Sequence, residues 1–84
     1  MNRNENGKKK AVVEENKKIR QLRFCADLTY AMIAQGDYAL DDAYLLIESL
    51  KKVAVTLFPG KEDTFDLIYG SRFKRLIMEK YQLH

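Results

Sequence analysis

The chain has 84 residues, enough for one domain, and its 46% hydrophobic and 32% charged side chains belong to a folding sequence rather than a disordered one. Its net charge of +3 is a composite, because residues 1–23 carry eight basic and three acidic side chains while residues 24–84 carry seven basic and nine acidic. One cysteine excludes an internal disulfide, no apolar run reaches the roughly 20 residues of a membrane span, and no apolar stretch follows the basic start as it would in a secretory signal.

A cytoplasmic protein without a membrane partner is therefore expected. Residues 1–10, with Asn2, Asn4, Asn6 and Gly7 among Lys8, Lys9 and Lys10, are predicted to be a disordered basic leader. A single helical domain is predicted over 11–84. About 60 to 70 residues make a small core, so docking on a partner or on a second copy is the natural supplement.

The first helix is predicted from Ala11. Val12, Ile19, Leu22, Ala26, Thr29 and Ile33 recur at 3-and-4 spacing, with Cys25 and Met32 beside them. Cys25, set between Phe24 and Ala26, reads as a small buried hydrophobe. Arg20, Arg23 and Asp27 fall on the other face, with Arg23 and Asp27 spaced for an i,i+4 ion pair. Gly36 is expected to end the helix in the left-handed region.

A second helix is predicted over residues 43–58. Asp41 is placed to cap it, Asp42 suits the positive end of the helix dipole, and Leu40 with Leu45 forms a hydrophobic staple. Its wide stripe, Ala43, Leu46, Ile47, Leu50, Val53, Ala54 and Leu57, suggests a central helix touching two neighbours. Pro59-Gly60 ends it.

A short third helix is predicted over 62–69, with Phe65, Ile68 and Tyr69 inward. Gly70-Ser71 should break the chain before a last helix from Arg72, whose buried face is Phe73, Leu76 and Ile77. No segment alternates with period two. The expected fold is all-α: a small helical bundle of three to four helices, two long and antiparallel, followed by a short helical hairpin.

Catalytic groups are sparse. His84 is the terminal residue, Cys25 has neither a second sulfur nor a nearby histidine, and the acids Asp41-Asp42 and Glu62-Asp63-Asp66 sit at helix starts where dipole effects account for them. Gly36, Gly60 and Gly70 are isolated, so no phosphate-binding loop is present and no cofactor, metal or small-molecule substrate is expected. A non-catalytic, binding role follows by exclusion.

Two binding readings remain. One is a protein partner or homo-oligomer held through the upper part of helix 1, at Val12, Val13, Ile19, Arg20 and Arg23. There the heptad line Val12–Ile19–Ala26–Ile33 outruns an 18-residue second helix, although Glu15 interrupts the parallel line. The other is nucleic acid, contacted by Lys8, Lys9, Lys10, Lys17 and Lys18 of the basic leader, or by Arg72, Lys74 and Arg75 of a helix-turn-helix-like hairpin over 62–82. Asp66 sits poorly in that hairpin, at the position where two crossing helices need a small residue.

Overall fold

A computed structural model describes the backbone of residues 3–82 and the side chains of residues 12–82. His84 lies outside the described residues, as do the side chains of Lys8, Lys9 and Lys10. The chain runs α1 (Arg3–Gln35), α2 (Leu40–Leu57), α3 (Glu62–Phe65), a π-helical turn (Asp66–Gly70) and α4 (Ser71–Tyr81). No strand occurs among the described residues. The fold is all-α, and α2 runs antiparallel to α1, reversing through 36–39.

α1 begins well before Ala11, the expected start. Lysine, glutamate and asparagine need no buried contact to continue a helix, and Gly7 alone costs only about 1 kcal/mol against alanine. Its end is where the sequence places it, but for a different reason. Gly36 does not enter the left-handed region, which among glycines only Gly60 does (φ 80°). Gly36 is needed for space: a Cβ there would collide with the Tyr38 ring and the Met32 carbonyl.

α2 starts at Leu40, so Asp41 lies inside the first turn and is not the cap. Ala39 takes that position with extended backbone (φ −63°, ψ 155°) and no side-chain hydrogen bond. Asp41 and Asp42 then act only through the helix dipole. The Phe58 N–H donates to Ala54 O at 2.8 Å and closes the helix. Leu45 is exposed, which leaves it far from a staple.

The break expected at Gly70-Ser71 is absent. Gly70 is right-handed helical (φ −57°, ψ −47°), as are Phe65, Asp66 and Ser71, so α3, the π turn and α4 form one continuous rod. Three rods therefore make the bundle. The π turn has a packing cause. Phe65 and Phe73, eight residues apart, would lie about 80° from each other on a pure α-helix. A turn widened to i→i+5 bonding absorbs roughly one residue and returns both rings to one face. Both are buried. Leu67 and Ile68, inside the turn, stand outward. Ile68, expected inside, is 58% exposed.

Nine side chains form the buried core: Ala26 and Ile33 of α1, Ala43, Leu50 and Ala54 of α2, and Phe65, Phe73, Leu76 and Ile77 of the third rod. Alanine on α1 and α2 lets their backbones approach, while aromatic and branched side chains of the third rod fill the space between them. Cys25 is half-buried at the margin rather than enclosed. The whole measures 59 × 22 × 16 Å, a length that reflects α1 rather than the core.

Candidate partner-binding groove

The two ends of the bundle differ. At the closed end, where α1 stops, the Lys80 ammonium of α4 donates to the carbonyls of Ile33 and Gly36 and, at 3.3 Å, to Ala34 O. These are the carbonyls a helix C-terminus leaves without partners, and a cation there also meets the negative end of the dipole. The Tyr81 hydroxyl donates to Tyr38 O at 2.7 Å and ties the α1–α2 turn to the same helix.

At the open end, α2 stops at Leu57 while α1 continues toward its N-terminus. An α1 of 33 residues is about 50 Å long and an α2 of 18 residues about 27 Å, so roughly half of α1 has no second helix beside it. Where the third rod begins, a groove of about 440 Å³ lies between the three rods. Buried Ala54 and Phe65 form its floor, half-buried Leu22, Phe58 and Tyr69 line it, and exposed Ile19 and Ile68 stand at its lips. Phe65 and Tyr69 pack ring against ring, with centroids 5.4 Å apart.

Only two charged residues line this groove, Arg23 and Lys61, and both are positive. Arg23 does not pair with Asp27, as its spacing suggests. Asp27 instead faces Arg72 of α4 (3.7 Å), whose guanidinium also lies 4.6 Å over the Tyr30 ring. Across the bundle, α4 reaches that carboxylate while Arg23 turns to the groove mouth. Upstream, exposed Val12, Ile19 and the groove's Leu22 continue along one line of α1, so the apolar lining runs out onto the uncovered half.

Of the residues singled out in the sequence, Ile19 and Arg23 stand in the groove. Val12, Val13 and Arg20 are exposed on the adjoining stretch of α1, as are Lys17 and, in part, Lys18. The second basic set does not assemble into a recognition helix. Arg72 is held by Asp27, and Arg75 faces Glu79 of its own helix at 3.4 Å. Lys74 is exposed on the α2 side. Asp66, which a helix-turn-helix crossing would bury, is exposed and bonded to Lys51 at 3.2 Å. Phe58, Lys61 and Ile68 belong to the groove and were not anticipated, because each enters it through a turn or the π widening.

Among the described residues no group of three or more histidine, cysteine, aspartate or glutamate side chains could hold a metal ion. No buried side-chain nitrogen or oxygen lacks a hydrogen-bond partner among them either. Among the described residues no helix is long and apolar enough to cross a membrane. Comparison with protein-family models, with curated proteins and with solved structures finds no match to this chain.

Proposed function

We propose that this protein is a non-catalytic interaction module that receives an amphipathic, acid-flanked helix of a partner protein in the groove at its open end. The observation that carries the reading is the groove itself, an apolar floor with two cationic side chains, Arg23 and Lys61, at its mouth. Its shape suits a helix better than a small ligand. The apolar line continues from Leu22 through Ile19 to Val12, about 15 Å along α1, in the place α2 would occupy if it were longer. A partner helix laid there extends the three-rod bundle past Leu57 and covers Ile19, which is 46% exposed.

Charge supports an acidic partner. Lys18 and Arg20 stand on either side of Ile19 on α1, so a helix with carboxylates beside its apolar stripe meets opposite charge on both flanks. The test is a titration of the labelled protein with a designed amphipathic acidic helix, followed by NMR. Shifts concentrated at Ile19, Leu22, Phe58 and Ile68, lost in Arg23→Glu/Lys61→Glu, are expected. Equal binding of a basic helix of the same apolar pattern would overturn the reading.

The alternative is nucleic acid held by the basic leader, and it draws support from the +5 net charge of residues 1–23. The helix-turn-helix route to it loses its geometry, since residues 62–81 form one rod with no turn between two crossing helices. Electrophoretic mobility at low and high salt separates the two readings. Retardation that vanishes with salt and ignores sequence points to the leader.

A further inference from the structure

The side of α1 turned away from the bundle carries a second apolar surface. Phe24 is 69% exposed and Leu28 50%, and Met32, one further turn on, is exposed as well. Their i, i+4, i+8 spacing puts them in one line, opposite Ala26 and Ile33, which face the core. A helix apolar on two opposite sides is normally buried on both. Here one side is covered by α2 and the third rod.

We propose that this face is covered by a second copy of the chain, with the two α1 helices packed back to back and antiparallel about a two-fold axis near Ala26. Two features of the molecule select that occupant and that direction. Placing Phe24 opposite Leu28 of the partner copy makes the reverse contact identical, as a two-fold requires. The overlap then runs from Lys17 to Gln35, about 27 Å along the axis. Two helix surfaces of that length bury on the order of 1,000 Å² in total, at the threshold for specific association.

Charge fixes the direction. In a parallel pair the two segments of residues 1–23, each with a net charge of +5, would lie side by side. In the antiparallel pair they point apart. Each brings Lys17 opposite the last turn of the other copy's α1, beside exposed Asp37. The groove at the open end stays uncovered in this dimer, so the two proposals stand or fall separately.

Sedimentation equilibrium from micromolar to submillimolar protein is the first measurement, on the wild type and on Phe24→Glu. The wild type should pass from monomer to dimer. Because Phe24 is exposed, Phe24→Glu should keep its helical circular dichroism and weaken association by roughly tenfold or more. A wild type that stays monomeric, leaving the face to another partner, overturns the proposal, as does a dimer that Phe24→Glu leaves intact. Direction is read from one spin label at Glu14→Cys in a Cys25→Ala background. The antiparallel pair places the two labels about 36 Å apart, whereas a parallel pair places them within about 10 Å, and the short distance overturns the arrangement.

Discussion

The two halves of α1 share one apolar period and differ in what covers them. From Leu22 onward, the inward line of Leu22, Ala26 and Ile33 finds α2 or the third rod, and the end is fastened by the Lys80 ammonium and by Tyr81 bonding to Tyr38. Before Leu22 the same spacing continues through Ile19 to Val12 with no helix beside it, and charged side chains take over the sequence. Periodicity alone therefore does not build a core. It builds a surface, and the length of the neighbouring helix decides whether that surface is interior or a place to dock.

That contrast is easiest to break with one substitution made twice. Phe73 is fully buried and packs tilted against Tyr30, ring centroids 5.9 Å apart, whereas Phe24 stands in solvent. Phe73→Ala should cost about 3–5 kcal/mol, most of the stability of a domain this small, and thermal melts should show it largely unfolded. Phe24→Ala should move the melt of the dilute protein by less than about 0.5 kcal/mol. Equal losses would mean that the outer face of α1 is core, and the division of the helix would fall.

The closed end offers the next test. Gly36→Ala forces its methyl group against the Tyr38 ring and the Met32 carbonyl, and the turn must open to admit it. A loss of about 1–3 kcal/mol in urea denaturation is expected. Hydrogen exchange should quicken in the last turns of α1 and leave the α2 C-terminus as it was. Lys80→Met keeps the aliphatic stem but removes the cation from the α1 carbonyls. It should cost about 1 kcal/mol, by analogy with other cationic helix caps, and added salt should shrink the difference from wild type. Salt-independence would mean that packing of the stem, and not the ammonium, holds this end.

Much of this fold was legible in the sequence, and the parts that were not have physical reasons. The α2 stripe and its solvent face, Glu48, Ser49, Lys52 and Thr56, sit as the period demands, because a helix flanked by strong breakers has little freedom of register. Lys80 as a cap was illegible, since the carbonyls that it meets are 44 and 47 residues away and no local pattern announces them. Phe24 and Leu28 escaped for another reason. The eye takes Arg20, Arg23 and Asp27 to mark a solvated face, yet the apolar pair lies between those charges and the far side of the helix. In the groove, Ile19 and Arg23 were visible from the stripe and its flanking charge, whereas Ile68 lies in a π turn that no local pattern announces.

Gly70 shows the same limit at its smallest scale, and its substitution carries a sign that decides between two structures. A glycine before a serine permits a break, but nothing compels one when the residues on both sides must keep a common buried face. With right-handed helical backbone and no atom nearer to an added Cβ than that of Asp66 at 3.7 Å, Gly70 has room for a methyl group. Gly70→Ala should then stabilise the protein by about 0.5–1 kcal/mol, because alanine loses less conformational freedom than glycine on entering a helix. Were Gly70 the hinge of a helical hairpin with a left-handed turn, the same change would destabilise it by at least as much. A melting temperature that falls in Gly70→Ala would restore the hairpin, and with it the helix-turn-helix geometry; one that rises leaves the third rod continuous and the groove where its first turns place it.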